Sequence, residues 1–417
     1  MATVLPFAGM RPPGKLAEQV AAPPYDVISS GEARQLAENN PLSFLHINKP
    51  EIDLPEDVDV HSDAVYEQGR QNMERFLAEG IFTRDAHPAF YLYRQALEQD
   101  GQVLHAQTGI VGLVSADEYE KDIIRKHELT RPEKENDRVK HMQAVQAQTG
   151  PVFLTYRTEE KIERLVAEHC RASPEFDFTS DNVRHQLWPL TDKDLLNEIS
   201  SLFATVPTLF IADGHHRSAA AVRYRDYCRE QNTQHTGNEA YNFFMAVLFP
   251  HDQLNILGYH RVVRDLGGMD AQAFLDALAE HYEIKPNKTE AMPTTHGQFG
   301  LYLDGQWYRL TLKNPAALHS NTVSALDVSI LQDTVFSPLL DIKDVRVDPR
   351  VDFIGGIRGQ GALEQAVDSG EFAAAFACYP ISVEQLMTIS GQGELMPPKT
   401  TWFEPKLKSG LVIHYLA

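Results

Sequence analysis

Residues 208–222 read TLFIADGHHRSAAAV. The apolar, β-branched start of this run predicts a buried strand, Asp213-Gly214 predicts a tight turn, and the small residues after Arg217 predict the start of a helix. Such a turn presents the first free N–H groups of the helix, and the positive end of its dipole, to an incoming anion. We therefore expect an anion-binding site here, with phosphate as the favoured anion.

Two other interpretations of this turn stay open. His215 and His216 suggest a metal such as zinc, although adjacent side chains project in different directions and are badly placed to share one ion. Asp213 is also a candidate N-cap of the helix, with both histidines in ordinary polar contacts. Placing so many polar groups directly after a buried strand is costly without a ligand, which favours the phosphate site.

Composition limits the possible partners. The chain has 417 residues, of which 43% are hydrophobic and 23% are charged, as is typical of a soluble globular protein with two or three domains. The formal net charge of −20 argues against the clustered positive field that binding to nucleic acids or anionic membranes requires. We expect a small-molecule partner, no nucleic acid and no membrane.

The cysteines and the N-terminus favour a cytoplasmic location. Cys170, Cys228 and Cys378 are widely spaced and form no C-x-x-C pattern, so we expect reduced thiols. The N-terminal residues lack the charged and long apolar regions of a signal peptide, and no stretch approaches the length of a membrane span.

Hydrophobic periodicity indicates alternating helices and strands. Helices are predicted at 29–39, in two stretches between 158 and 204, and at 270–283, 359–369 and 382–389. Strands are predicted at 88–94, 108–114, 186–190, 243–249 and 372–378, the first two forming a hairpin around the turn 99–102. The fold class expected from this mixture is α/β (α+β) with mixed sheets.

A second cluster of polar residues occupies 126–138. Its acids and bases at 133–135 are expected on a solvated helix face. Glu128 differs because it lies beside His127 in a connecting segment before a proline, and connecting segments often display functional groups. A carboxylate there can take a proton from a substrate hydroxyl that comes within hydrogen-bond reach.

A third cluster lies at 393–405, where two prolines precede Lys399, Thr400 and Thr401. A lysine beside two hydroxyls can hold an anionic group by charge and by hydrogen bonds. The alternative is a surface loop with threonines on an edge strand.

The three clusters together supply a carboxylate base, a phosphate site and a lysine-threonine clamp. Phosphoryl transfer uses such parts because it depends mainly on positioning and charge neutralisation. The sequence has no G-x-x-x-x-G-K-[ST], and Gly355-Gly356-Ile357-Arg358-Gly359 lacks the spacing of a dinucleotide-binding loop. Any kinase activity would therefore not be of the P-loop or protein-kinase kind.

The order of His127-Glu128, then 213–217, then Pro398-Lys399-Thr400-Thr401 resembles that of the free L-serine kinases of archaea, mainly over 105–225 and 300–410. The whole chain, with its opening APPYDV at 22–27, also resembles a widespread bacterial family of unknown function. The resemblance implies a ParB/sulfiredoxin-like nucleotide-binding core and a C-terminal α/β subdomain. The expected domains are an N-terminal extension at 1–104, the phosphate-binding core at 105–265 and the substrate subdomain at 266–417.

The same resemblance implies an activity and roles for residues. The enzyme would use Mg²⁺ and either ATP or ADP to phosphorylate the hydroxyl of free L-serine, or of a similar small metabolite, giving O-phospho-L-serine. The implied roles are Glu128 as general base, Asp213 and His215 as catalytic groups with Asp213 at the metal, Gly214, His215, His216 and Arg217 at the nucleotide phosphates, and Lys399, Thr400 and Thr401 at the serine.

Two other functions stay open: a nucleotide-binding regulatory module without turnover, and a metal-dependent phosphohydrolase. The choice between ATP and ADP, the oligomeric state and any role of His127, Arg138 or His260 are also left open.

Overall fold

The computed structural model describes residues 1–287, 292–314 and 322–416. The chain divides into two compact units, which are described separately. The first unit comprises Met1–Lys126, Thr130–Leu254 and Pro405–Ala417, and the second comprises His127–Leu129 and Asn255–Glu404. Both units combine helices with strands, so the expected α/β (α+β) class is confirmed. The three domains expected from the sequence stay a prediction.

A mixed sheet forms the centre of the first unit. The strands, in their order across the sheet within the described residues, are Ile124–Arg125, Leu209–Asp213, Val152–Tyr156, Phe243–Pro250, Gln102–Ser115, Phe90–Gln99, Val183–Leu190 and Phe176–Ser180, with Val4–Leu5 also pairing with Gln102–Ser115. Two of these pairings are parallel: Leu209–Asp213 with Ile124–Arg125, and Phe243–Pro250 with Val152–Tyr156. Two short antiparallel pairs, Met10–Arg11 with Thr83–Arg84 and Ala147–Gln148 with His414–Tyr415, complete the strands.

The expected hairpin is confirmed, and its strands extend beyond the apolar runs at 88–94 and 108–114 towards the turn. Phe90–Gln99 pairs antiparallel with Gln102–Ser115. Asp100 and Gly101 form the turn with φ values of 52° and 77°. Consecutive residues with positive φ match the right-handed twist of the strands, and Asp-Gly adopts this conformation readily.

The helices of the first unit flank the sheet and the N-terminal segments. They span Ala17–Val20, Ser30–Ala37, Leu45–Asn48, Asp63–Ala78, Ala116–Glu120, Pro132–Val145, Glu160–His169, Lys193–Phe203 and His215–Gln231. The predicted helix at 29–39 is confirmed as Ser30–Ala37, and it begins with a capping box: the Ser29 side chain accepts from the Glu32 N–H and the Glu32 carboxylate accepts from the Ser29 N–H. Glu160–His169 and Lys193–Phe203 confirm the two predicted helices, and they bury Ile162 and Ile199 against the sheet.

The second unit contains an antiparallel sheet with its own apolar core. Its strands are, in order, Tyr282–Asn287, Gln306–Leu312, Gln298–Leu303, Ala374–Cys378, Tyr259–Val263 and Val351–Gly355, and Asn255–Leu257 pairs separately with Trp402–Glu404. Its helices are Ala271–Leu278, Asp327–Leu331, Gly359–Asp368 and Val383–Gly391, with a π-helical turn at Gln332–Phe336.

One helix of the second unit is shorter than expected. The sequence predicted a helix over 270–283, whereas Ala271–Leu278 is helical, with the Asp270 side chain capping its N-terminus. Tyr282 is instead the first residue of a strand, pairs with Leu312 and is buried. Sheet pairing therefore outweighs local helix propensity at this end.

Among the described residues, no helix has the combination of length and apolar character needed to cross a membrane.

Candidate functional site

The turn at 213–217 joins a buried strand to a long helix, as the sequence predicted. Leu209–Asp213 lies between two other strands, and His215–Gln231 follows at once. Gly214 is the N-cap residue, in the left-handed conformation with φ 99° and ψ 29°. A Cβ at Gly214 would come within 3.3 Å of the Arg217 guanidinium and 3.4 Å of the Val152 Cα. Both observations explain why glycine occupies this position.

Asp213 is ionised and faces two cations. One carboxylate oxygen accepts from the Gly214 N–H at 2.9 Å, and the other accepts from Lys406 Nζ at 3.1 Å. Burial acts to raise the pKa of the Asp213 carboxyl, but Lys406 and Arg217 outweigh it and hold that pKa well below its usual range. The side chain makes no N-cap hydrogen bond, since Gly214 takes that position, so the N-cap interpretation of Asp213 is wrong.

Arg217 presents a buried guanidinium with an edge that lacks direct hydrogen bonds. Its side chain is 10% exposed, and Nη1 donates to the Pro151 carbonyl. Nη2 lies 3.6 Å from an Asp26 oxygen and 3.7 Å from an Asp213 oxygen, distances that suit ion pairs but exceed a hydrogen bond. Nε has no hydrogen-bond partner among the described residues. An oxyanion would satisfy this edge bidentately.

The two histidines of the turn have different surroundings. His215 is buried, and its charge interaction with Asp213 helps to lower the pKa of that carboxyl. His216 accepts a hydrogen bond through Nε2 from the Arg131 N–H at 3.1 Å. This agrees with the expectation that the two rings project differently.

A small pocket lies beside Arg217 within the first unit. Its lining includes Tyr25, Arg138, His141, Gln148, Arg217 and Met245. The Tyr25 ring covers the Arg138 guanidinium, with 3.9 Å between Cζ and the ring centroid. Arg138 also pairs with Asp137 at 2.6 Å. Burial, reinforced by Arg138, lowers the pKa of His141 to about 4, so that imidazole is neutral at pH 7. The pocket lining thus combines apolar side chains with two guanidinium groups.

In the second unit, the structure brings two separate motifs together. The Met396 N–H donates to the His127 carbonyl at 2.8 Å, and Thr401 Oγ1 lies 3.4 Å from His127 Nε2. Glu128, the candidate base, is the next residue and is half-buried. The His127-Glu128 segment therefore lies against the lysine-threonine segment, although 274 residues separate His127 from Thr401.

The lysine-threonine segment adopts a defined turn. Lys399 has a φ of 55°, in the left-handed region, and its Nζ lies 5.3 Å from the centroid of the Tyr259 ring. Thr400 is buried and donates its hydroxyl to the Pro397 carbonyl at 2.5 Å. The Thr400 hydroxyl therefore bonds within the turn, and Thr401, which is half-buried, faces His127.

Other expectations for the charged residues can be compared with the structure. Glu133 and Lys134 are exposed, as expected of a solvated helix face. The same expectation is wrong for Glu135, whose side chain is 15% exposed and pairs with Arg223 at 3.1 Å. Sequence reasoning did not find Lys406, because no local pattern singles out a lysine whose partner Asp213 lies 193 residues away.

An α/β protein whose mixed sheet leads, through a glycine N-cap at Gly214, into the helix that carries Arg217 is the class that this fold and site define. The chain belongs to the DUF1015 family, described as a protein of unknown function, whose model matches residues 4–329. No curated protein matches the chain.

Several solved structures are similar to this chain. A free serine kinase in complex with AMP shares 14% sequence identity at a TM-score of 0.35, covering 70% of this chain and 86% of that one. SbnI with a C-terminal truncation, from Staphylococcus aureus, shares 12% identity at a TM-score of 0.36, covering 71% and 84%. A conserved hypothetical protein from Pyrococcus furiosus shares 12% identity at a TM-score of 0.33, covering 72% and 94%. The expected membership of a family of unknown function, with free serine kinases among the similar structures, is confirmed.

Proposed function

We propose that this protein is a nucleotide-dependent kinase that transfers a phosphoryl group from ATP or ADP to the hydroxyl of free L-serine or of a similar small metabolite. The observation that carries the proposal is the turn at 213–217, where Arg217 lies in the first turn of the helix and its Nε and Nη2 edge makes no direct hydrogen bond to any described residue. Transfer of a phosphoryl group depends on neutralising and orienting its charge, and this arrangement suits that task. The choice of L-serine as acceptor rests on the resemblance between the order of the motifs in this chain and that in the free L-serine kinases.

The nucleotide phosphates bind, in this proposal, at Gly214, His215, His216 and Arg217. The helix N-terminus contributes N–H groups, and the Arg217 guanidinium contributes a bidentate donor edge. We propose that the core of this region is ParB/sulfiredoxin-like, as the sequence resemblance implies.

Magnesium fits the donor set of the turn. Mg²⁺ prefers carboxylate and phosphate oxygens, and Asp213 is an ionised carboxylate beside the proposed phosphate position. Asp213 would hold the ion, which when bound with the nucleotide neutralises charge on the phosphates. Lys406 already donates to Asp213 at 3.1 Å and fixes the orientation of the carboxylate.

The acceptor is activated by Glu128 in this proposal. The serine oxygen forms a bond to the terminal phosphorus, its proton passes to the Glu128 carboxylate, and the bond to the bridging oxygen of the donor breaks, releasing ADP from ATP or AMP from ADP. Lys399, Thr400 and Thr401 hold the serine, with the Thr400 hydroxyl shaping the turn and Lys399 supplying charge.

The first experiment is mass-spectrometric detection of O-phospho-L-serine after incubation with Mg²⁺, L-serine and, in parallel, ATP or ADP. We expect product with one donor, and loss of product in Glu128→Gln and Asp213→Asn with retained nucleotide binding in the first variant. Glu133→Gln is the matched control because Glu133 is exposed on the neighbouring helix. Phosphate release without an acceptor would instead favour a phosphohydrolase, and nucleotide binding without any product would favour a regulatory module.

A further inference from the structure

The strand Tyr259–Val263 of the second unit carries a buried arginine. Arg261 is 2% exposed and pairs across the sheet with Phe353 on one side and Phe376 on the other. The Phe353 ring centroid lies 5.5 Å from the guanidinium carbon. A charged group among aromatic side chains is costly to bury, so its retention requires compensating contacts.

Two backbone carbonyls and the Cys378 side chain supply those contacts. Arg261 Nη1 donates to the Tyr259 carbonyl, and Nη2 donates to the Pro398 carbonyl at 3.2 Å. Among the residues that the structure describes, no carboxylate forms an ion pair with Arg261, and none acts on its pKa, which burial lowers. Within the described ranges, the positive charge of Arg261 is therefore held in place without a neighbouring carboxylate.

The Pro398 carbonyl immediately precedes Lys399, whose positive φ of 55° is unfavourable for a residue with a side chain. The bond from Arg261 and the bond from Thr400 Oγ1 to the Pro397 carbonyl hold this turn from two sides. Tyr259, which lies under the Lys399 ammonium, also packs edge-to-face on Trp402 at 5.1 Å. Arg261 and Thr400 are thus two side chains that donate hydrogen bonds to the backbone of this turn.

We propose that Arg261 is a positioning residue for the segment Pro398–Thr401, and that the uncompensated charge of Arg261 makes this segment select ligands with an acidic group. This inference rests on the proposed function and narrows its acceptor to a hydroxyl compound that carries a carboxylate or phosphate. A neutral alcohol or an amide would gain nothing from the two cations. A fixed charge in a low-dielectric environment acts over several ångströms, so Arg261 need not touch the ligand.

The test compares binding of L-serine, L-serinamide and O-phospho-L-serine to the full chain by calorimetry in the presence of Mg²⁺ and ADP. We expect the unsubstituted protein to prefer L-serine over L-serinamide by about tenfold, and Arg261→Met to weaken both acidic ligands by about tenfold and lose that preference. Arg261→Lys, which keeps the charge, retains part of the preference. Arg264→Met is the control, since Arg264 is exposed and pairs with Glu371 at 3.1 Å.

Three outcomes decide the inference. Equal affinity of Arg261→Met and the unsubstituted protein for O-phospho-L-serine overturns it, as does equal affinity of the unsubstituted protein for L-serine and L-serinamide. The inference is also overturned if none of the three ligands binds to the unsubstituted protein. If Arg261→Met does not fold, Arg261→Lys and Lys399→Met are used for the test. Loss of the preference for acidic ligands in Lys399→Met would show that this preference arises at the segment Pro398–Thr401. Failure of the kinase proposal is separate: no phosphorylated product forms, while acidic ligands still bind in an Arg261-dependent manner.

Discussion

The Asp26 carboxylate lies 3.6 Å from Nη2 of Arg217 and so approaches the guanidinium edge that an anionic ligand would use. Asp26 follows Tyr25, whose ring covers Arg138 in the same pocket. The APPYDV segment therefore contributes both a ring and a carboxylate to the region that we assign to phosphate.

The first prediction concerns this carboxylate. Asp26→Asn removes a negative charge that competes with phosphate for Arg217, so we expect nucleotide affinity to rise by about fivefold, or about 1 kcal/mol, in calorimetric titrations. Asp63→Asn is the control, because the Asp63 side chain is 97% exposed. An unchanged or weaker affinity in Asp26→Asn would show that Asp26 supports the ligand instead of competing with it.

The second prediction concerns the backbone of the turn. Gly214→Ala forces a side chain into a left-handed conformation and towards Arg217, so the free energy of unfolding should fall by about 1–2 kcal/mol and nucleotide binding should be lost. Gly31→Ala offers a matched comparison. Gly31 lies in the helix Ser30–Ala37, and a Cβ there meets only the Ser29 hydroxyl at 3.9 Å. That variant should be about 0.5–1 kcal/mol more stable, and denaturant unfolding measures both effects.

The third prediction follows from the low pKa of Asp213. In the unfolded chain the pKa of an aspartate is about 3.9. The stability that ionised Asp213 contributes is therefore fully present above that pH, and it is lost as the pH falls towards the lower pKa of the folded protein. Lys406→Met removes one stabilising cation. The free energy of unfolding at pH 7 should fall by about 2 kcal/mol, and it should decrease less steeply as the pH is lowered into the acidic range. The exposed Lys161→Met should leave both unchanged.

The fourth prediction concerns Glu163, which accepts from Gln253 Nε2 at 2.8 Å and from the Tyr156 hydroxyl at 3.3 Å. Burial raises the pKa of Glu163 to about 7. In the unfolded chain the pKa of a glutamate is about 4.3. As the pH rises from that value towards 7, the Glu163 carboxyl therefore lowers the free energy of unfolding by an increasing amount. Glu163→Gln should therefore stabilise the protein more at pH 8 than at pH 5, as measured in urea. A gain that is equal at both pH values would contradict the raised pKa.

Local sequence was sufficient for the strand-turn-helix at 208–222. Apolar residues mark the strand, Gly214 permits the left-handed turn, and small residues continue into the helix. Each of these signals acts within a few residues. The helix over 270–283 was predicted too long because Tyr282 pairs with Leu312, a contact that periodicity does not reveal.

The contacts between distant residues could not be predicted in the same way. Lys406 and Asp213 are 193 residues apart, and the Pro398 carbonyl receives Nη2 of Arg261 from a separation of 137 residues. Glu128 was chosen from its position in a connecting segment, and the structure places its neighbour His127 against Thr401. The sequence alone thus suggests which residues are candidates for the site, whereas the distant partner of each required the folded chain.

The ion pair between Lys406 and Asp213 also has a consequence for biosynthesis. The strand and helix around Asp213 leave the ribosome long before Lys406 does, because synthesis proceeds from the N-terminus. A nascent chain therefore carries this half-buried carboxylate without one of its two cations. The turn reaches its final charge balance only late in translation, and until then Arg217 is the cation within the same segment that can offset Asp213.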